Sequence, residues 1–285
     1  MVGRYACSFI VTALAISGLV AGISVAQEGP QLNFQRGPAT FPMGGNLAEI
    51  DLSEGYVFLD QRDTVRLMEF YQNPETGTEK GTVLPASDAE SWFIVFEFDE
   101  LGYVPDDDSD LDADALLSSI RAGTEAANES RIEMGWPTMQ IVGWHDAPRY
   151  DPGTRNLTWA IIGASEGSKT INRIVKVLGR RGVMTVTLVS SQEELGAADR
   201  QLAMLLGNYR FRPGSTYAEY LPGTDKLAEV GLAALVVGGA GAALVNSGLL
   251  ARFWKLILVA LAGTGAAIKR LFGGTRAEDS PVTRV

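Results

Sequence analysis

The chain has 285 residues with 34 acidic and 24 basic side chains, which gives a formal net charge of −10, and its single cysteine is Cys7. The negative charge argues against nucleic acid as the main ligand, because phosphates need a cationic surface. Since Cys7 lies in a predicted leader, we expect no disulfide bond, cysteine nucleophile or cysteine metal site in the mature protein.

The N-terminus has the layout of a secretory signal peptide. Arg4 is followed by an uncharged stretch, residues 5–27, which includes the small residues Ser24 and Ala26. This order of basic, apolar and cleavage regions predicts a signal peptide over residues 1–26. An uncleaved anchor is the alternative, and both interpretations predict that the residues that follow the leader are exported.

Residues 27–226 form an acidic body, with 31 Asp and Glu against 17 Lys and Arg, a net charge of −14. Its length is enough for one well-buried core or two small ones. The beginning, residues 27–46, is rich in Gly, Pro, Asn and Gln and predicts an unstructured linker. We expect the exported domain itself over residues 47–226.

Strand-like and helix-like segments follow one another irregularly along this domain. Apolar alternation or β-branched and aromatic composition predicts strands within residues 48–59, 91–98, 139–145, 157–165, 170–179 and 182–191. Apolar residues at helical spacing predict helices over residues 62–73, 112–135 and 193–209. The order of elements, with four consecutive strands before the last helix, predicts an α+β fold with a mostly antiparallel sheet and packed helices.

The C-terminal part predicts a membrane anchor over residues 227–272, followed by a polar tail over residues 273–285. Residues 230–250 carry no charge, and a run of this length can cross the roughly 30 Å hydrocarbon core of a bilayer as a helix. A second, shorter apolar helix is expected over residues 253–268. The positions of Lys and Arg favour one crossing with a membrane-associated second helix, and a two-helix hairpin is the alternative.

Small residues recur at every fourth position of the predicted span, at Ala234, Gly238 and Ala242. This spacing lets helix backbones approach closely in lipid. We therefore expect the span to pair either with residues 253–268 or with a second copy of the chain, so the expected partners are the lipid bilayer and a protein or homo-oligomer.

Six aspartates crowd a short stretch before the second predicted helix: Asp106, Asp107, Asp108, Asp110, Asp112 and Asp114. An EF-hand loop starting at Asp106 fails, because loop position 6 is Leu111 instead of Gly and position 12 is Leu117 instead of Glu. The favoured interpretation is that these aspartates cap the helix and populate its first turn.

A calcium site of another type is the alternative for the tract, with Asp106, Asp108 and Asp110 as its ligands. We expect no other cofactor. The only histidine, His145, precedes Asp146, and such a pair can orient an imidazole for general-base work. Without a serine in a nucleophile elbow or a second histidine, we expect His145 to be an ordinary surface side chain.

Ordered groups of residues in this chain resemble a known family. They are Gly102-Tyr103-Val104 with the aspartates and Leu116-Leu117; Gly143-Trp144, Pro148, Tyr150-Asp151 and Leu157-Thr158-Trp159-Ala160; and Leu178-Gly179-Arg180-Arg181-Gly182-Val183, Gly214, Tyr217 and Asp225-Lys226. They resemble the bacterial family of predicted membrane-anchored proteins that is defined by a domain of unknown function. The resemblance covers most of residues 47–270 and implies an exported, membrane-tethered domain without a known reaction or cofactor.

A weaker resemblance is to the PsbP-like lumenal proteins of photosynthetic membranes, whose strand-rich sandwich closes with a Phe-Gly-Tyr stretch. Phe211, Gly214 and Tyr217 fall in that place here, and the resemblance implies a PsbP-like sandwich but no function.

Two functions follow as hypotheses. The first is a binding or assembly module at the outer face of the bacterial cytoplasmic membrane, with its soluble domain in the periplasm or cell exterior. The alternative is a carboxylate- or metal-dependent hydrolase or transferase that uses the aspartates of residues 106–114. We favour the first, because no catalytic constellation is recognisable in the sequence.

Overall fold

The computed structural model describes residues 30–73, 75–107 and 110–238. Predictions that lie outside the described residues concern the leader at 1–26, most of the 230–250 span, the helix at 253–268, the tail at 273–285, and the individual residues Asp108 and Ala242.

Eleven strands and four α-helices occur in this part of the chain. The strands are β1 (Gln35–Arg36), β2 (Ala39–Met43), β3 (Ala48–Leu52), β4 (Tyr56–Leu59), β5 (Glu79–Pro85), β6 (Phe93–Asp99), β7 (Gln140–Asp151), β8 (Asn156–Ser165), β9 (Ser168–Leu178), β10 (Val183–Ser190) and β11 (Tyr209–Phe211). The helices are α1 (Gln61–Phe70), α2 (Ala113–Glu133), α3 (Leu195–Gly207) and the short α4 (Leu232–Val236).

The strands form two antiparallel sheets. Eight of them pair in the order β1-β4-β5-β6-β10-β9-β8-β7, and the other three pair in the order β11-β3-β2. The four consecutive strands that the sequence predicted are the meander β7 to β10. The predicted α+β class with a mostly antiparallel sheet is therefore confirmed.

One side of the large sheet is covered by α1 and α2, and we call it the α1/α2 face. Under α1, an apolar cluster contains Leu67, Met68, Tyr71, Phe93, Val95 and Val189. Under α2, a second cluster contains Leu116, Ile120, Trp159, Ile161, Ile174 and Val183. The two clusters share one side of the sheet because Val183 and Val189 lie an even number of residues apart on β10.

The opposite side, which we call the α3 face, packs against α3 and the small sheet. Its core contains Ile50, Phe96, Val186, Leu188, Leu202 and Tyr209. Residues next to each other in β6 and β10 enter opposite clusters, so both faces of these central strands are buried, which accounts for their nearly continuous apolar sequence.

The predicted linker over residues 27–46 differs from the structure, which places β1 and β2 there. Phe41 and Met43 are buried while their neighbours in β2 are exposed. The glycines that suggested a linker form the turn after β2 instead, where Gly44 and Gly45 have positive φ. The folded domain therefore begins before residue 47.

The chain after β11 returns to the α1/α2 face. Arg180 binds the Asp225 carboxylate with two hydrogen bonds of 2.7 and 2.9 Å. The Tyr103 amide donates to the Lys226 carbonyl, and the Ala228 amide donates to the Tyr103 carbonyl, each at 2.8 Å. These contacts fasten the segment that precedes α4.

Helix α4 occupies the start of the predicted membrane span. Its Leu232, Leu235 and Val236 are buried in the apolar cluster under α2. Ala234 lies in this helix, whereas Gly238 follows the helix with a φ of +104°. In the part of the chain that the structure describes, no helix combines the length and apolar character needed to span a membrane. Packing through Ala234, Gly238 and Ala242 stays a prediction.

Candidate functional site

A cleft of about 610 Å³ separates α3 from strands β7, β8 and β9 on the α3 face. It is lined by Asp146, Ala147, Arg149, Asn156, Thr158, Arg173, Val175, Asp199, Leu202, Ala203 and Leu206. Its volume is in the range of small-molecule sites in proteins. Charged groups and apolar groups both contribute to the lining.

Strand register and helix periodicity bring these residues together. Arg149 lies opposite Thr158, which lies opposite Val175, so the three form a row across β7, β8 and β9. Across the cleft, the lining residues of α3 are Asp199, Leu202, Ala203 and Leu206. Their spacing of three and four residues places them on one side of the helix.

Three of the lining residues, Asp146, Arg173 and Asp199, form an aspartate–arginine–aspartate chain. The Arg173 Nη2 donates to Asp146 Oδ2 at 2.5 Å, and its Nε donates to Asp199 Oδ1 at 2.6 Å. Asp146 lies on β7 and Asp199 on α3, so Arg173 joins the edge of the sheet to the helix. This chain holds the cleft walls together.

The charges in this chain stabilise one another. Burial alone would raise the pKa of Asp146, but the hydrogen bonds from Arg173 and His145 outweigh burial and hold that pKa below its usual value. Burial likewise would lower the pKa of Arg173, and the two aspartates raise it overall. Both groups are therefore ionised at neutral pH.

His145 contacts Asp146, a residue of the cleft lining, with 3.1 Å between Nδ1 and Oδ2. The imidazole is 36% exposed, in agreement with the predicted surface position. Asp146 is already bound to Arg173, so it does not serve the histidine alone. We assign the pair no catalytic role.

The aspartate tract supports local structure where the structure describes it. Asp112 is the N-cap of α2 and accepts from the Ala115 amide at 3.0 Å, and Asp114 lies in the first turn. The predicted capping role is confirmed for Asp112, and Asp114 lies in the first turn as predicted. Asp106 accepts hydrogen bonds from Tyr150 at 2.5 Å and Tyr217 at 3.1 Å.

Calcium binding by Asp106, Asp108 and Asp110 stays a prediction, since Asp108 lies outside the described residues. Within residues 30–73, 75–107 and 110–238, no three His, Cys, Asp or Glu side chains are grouped so that they could hold a metal ion.

A tyrosine cluster, made of Tyr103, Tyr150, Tyr217 and Tyr220, gathers several residues of the family resemblance. Tyr103 stacks on Tyr217 with ring centroids 4.4 Å apart and on Tyr220 at 3.8 Å. The single proton of the Tyr217 hydroxyl is shared between Asp106 and the Val104 carbonyl, whose oxygen lies 2.9 Å away. These residues therefore connect the segment that precedes α2 with the C-terminal segment, and their role is structural.

A buried ion cluster on the α1/α2 face was not predicted from the sequence. It consists of Glu79, Glu97, Asp99 and Lys176, and the side chains of all four are at most 10% exposed. Lys176 Nζ lies 3.7 Å from Asp99 Oδ2 and donates to the Thr185 hydroxyl at 2.7 Å. Because side chains alternate between the two faces of a strand, Glu97 and Asp99 on β6 lie on the same side of the sheet. Their spacing of two residues in an apolar strand is the sequence signal for the cluster.

Glu97 is the unusual member of this cluster. Burial, followed by the nearby carboxylates of Asp99 and Glu79, raises its pKa to about 8. At neutral pH Glu97 is therefore mainly protonated and uncharged, so its side chain adds little negative charge near Lys176.

Comparisons with known proteins give a family and a distant structural likeness. Residues 35–268 match the family described as "Protein of unknown function (DUF2167)". No curated protein matches the chain. The solution structure of cyanobacterial PsbP (CyanoP) from Synechocystis sp. PCC 6803 is similar at 10% identity, with a TM-score of 0.37, over 61% of this chain and 91% of that one. Because that score is low, the likeness carries no argument about function.

Proposed function

This chain belongs to the DUF2167 family, which confirms the family suggested by its motifs; since the function of that family is unknown, we propose one from the geometry. The chain is a membrane-anchored, exported binding or assembly module, and the cleft beside α3 is its binding site. Its place is the outer face of the cytoplasmic membrane.

The cleft is the observation that carries this proposal. Its lining combines the apolar side chains of Val175, Leu202 and Leu206 with two aspartates and two arginines. A partly apolar lining with a few fixed polar groups is typical of ligand sites. The ion chain through Arg173 pre-organises the walls, which reduces the entropy lost on binding.

A binding function accounts for the site residues better than carboxylate catalysis does. Of the aspartates in the tract, Asp106 is engaged by two tyrosine hydroxyls and Asp112 by the α2 backbone. In the cleft, Asp146 and Asp199 are both engaged by Arg173. A general base has to be able to accept a substrate proton, and these carboxylates are committed to other partners.

The membrane address is supported by the sequence at both ends. Because α4 is buried in the body, the proposed anchor is assigned to the apolar residues that follow it; together with the signal-like leader, they support an exported body with a C-terminal anchor. The acidic body suits a solvated domain, and the basic residues after the span favour the cytoplasmic side for the C-terminus.

The binding proposal is tested by filling the cleft. Ala203 lies in the lining and is exposed, so Ala203→Trp should occupy the space above Val175 without disturbing the core. We expect photo-crosslinking from a benzophenone amino acid at Thr158 to attach a reproducible partner or ligand in membranes of the producing cells. The Trp variant should reduce that product at least fivefold.

Met204 provides the matched control, because it is the next residue of α3, is 55% exposed and is not part of the lining. Met204→Trp should leave the crosslinked product unchanged. Equal yields from both Trp variants would show that the cleft is not the binding site.

A further inference from the structure

The charged side chains that line the cleft beside α3 are not paired equally. Arg173 is bound by the carboxylates of Asp146 and Asp199, so this group of three carries a net negative charge. Arg149 also lines the cleft, but it forms neither a hydrogen bond nor an ion pair with any residue that the structure describes. Its guanidinium is therefore free to bind a ligand.

Asp151, two residues further along β7, does not neutralise this guanidinium. Its Oδ1 accepts from the Gly153 amide and its Oδ2 from the Thr154 hydroxyl, each at 2.9 Å. The hydrogen bond from Thr154 does most to lower the pKa of Asp151, and the charge of Arg149 does least. Asp151 is thus held by the turn that joins β7 to β8.

Strand register separates Arg149 from the negative group. Arg149, Thr158 and Val175 form one row across β7, β8 and β9, and Asp146 lies in the same row as Arg173. Because Arg173 precedes Val175 by two residues on β9, the two rows lie roughly 7 Å apart along the strands. The cleft therefore has a positive row and, beside it, the negative group.

The positive row is continuous with the apolar part of the lining. Val175 and Leu202 belong to the buried core of the α3 face, Leu206 packs against that core, and all three line the cleft. Thr158, opposite Arg149, contributes a hydroxyl that can donate to the same ligand group. A ligand that fits these residues combines an anionic group with an apolar segment.

We infer that the cleft binds small amphipathic carboxylates, with the carboxylate on the Arg149 guanidinium and the apolar segment against the lining leucines of α3. This inference rests on the proposed function, in which the cleft is the binding site. The planar guanidinium matches a carboxylate with two parallel hydrogen bonds. A ligand with a single negative charge is favoured, because a second charge would come close to the negative group around Arg173.

Hexanoate is the probe for this class, and hexanamide, which has nearly the same shape without the charge, is its reference. Each is titrated into the natural full-length protein in detergent, and the methyl NMR signals of Val175, Leu202 and Leu206 report binding in the cleft. We expect hexanoate to bind roughly tenfold more tightly than hexanamide, since only the carboxylate can form a hydrogen-bonded ion pair with Arg149. Hexylammonium should bind more weakly than hexanoate.

Arg149→Gln removes the guanidinium at an exposed position, so the fold should be retained. We expect its affinity for hexanoate to fall roughly tenfold, to the level of hexanamide, while its affinity for hexanamide stays unchanged. Arg200 provides the matched control, because it is an exposed arginine of α3 outside the lining. Arg200→Gln should leave the affinities for both probes unchanged.

Four results would overturn the inference: no binding of hexanoate, equal affinities for hexanoate and hexanamide, tighter binding of hexylammonium than of hexanoate, or an unchanged hexanoate affinity in Arg149→Gln. If Ala203→Trp still reduces the crosslinked product from Thr158, the cleft binds a ligand of another class, and only this inference fails. If Ala203→Trp has no effect on that product, the proposed function fails as well.

Discussion

Glu97 shows how a single buried carboxyl can link the stability of this domain to pH. Its pKa is raised from 4.5 to about 8 by burial and by the neighbouring Asp99 and Glu79. The folded domain therefore binds this proton more tightly than the unfolded chain does. The resulting stabilisation is fully present below about pH 4.5 and is lost as the pH rises towards 8.

Glu97→Gln should remove this pH dependence, because the amide stays neutral at every pH. We expect the unfolding free energy of the natural protein to fall between pH 5 and pH 8 more steeply than that of the variant. Urea unfolding at pH 5, 7 and 9 measures the difference. Glu100→Gln, an exposed neighbour in sequence, is the control, and equal slopes for Glu97→Gln and the natural protein would contradict the assignment.

At the scale of elements, the start of α2 depends on one side chain. Asp112 accepts from the Ala115 amide and satisfies one of the backbone groups that a helix leaves unpaired at its N-terminus. Asp112→Ala should lower the unfolding free energy by about 1 kcal/mol. Asp112→Asn should cost much less, since asparagine caps about as well as aspartate.

Thermal or urea unfolding of the two variants gives the comparison. A similar loss for both would indicate that the charge of Asp112 matters more than its capping hydrogen bond. No loss for Asp112→Ala would contradict the capping role altogether.

The sequence predicts elements best where one periodic signal dominates. The helices α1, α2 and α3 and the strands β8, β9 and β10 fall close to their predicted ranges because apolar periodicity is clear there, whereas β7 continues six residues beyond its predicted end at residue 145. Strand β5 was missed because Gly81 interrupts its apolar pattern. The glycine is there because a Cβ would lie 2.5 Å from the Phe58 ring, a contact that sequence cannot reveal.

At the scale of the whole molecule, the cleft could not be predicted because its walls are far apart in sequence. Asp146 and Asp199 meet through Arg173, and each is an ordinary charged residue in its own segment. The adjacent pair His145 and Asp146 was visible in the sequence, and its contact is local. The contact between Arg173 on β9 and Asp199 on α3 can be recognised only in the three-dimensional structure.

Topology gives a prediction for the complete chain. Lys169 is exposed on β9, and Lys169→Cys in a Cys7→Ser background offers a single thiol on the body. A membrane-impermeant maleimide should label this thiol in intact spheroplasts, because the body is proposed to be exported. Labelling only after lysis would contradict that proposal.

Val285→Cys in the same background reports the number of crossings. With one crossing the C-terminus is cytoplasmic, and the thiol should react only after lysis. Reaction in intact spheroplasts would instead support the two-helix hairpin.

The fastening of residues 225–236 limits how the domain can move relative to its proposed anchor. Arg180 is hydrogen-bonded to Asp225, and Tyr103 makes backbone hydrogen bonds with the residues that follow it, Lys226 and Ala228. Helix α4 is buried in the core. Residues 225–236 therefore contain no flexible linker that would let the body rotate or move away from a bilayer. A pull on the chain beyond residue 238 would therefore be transmitted through α4 directly to the apolar core under α2.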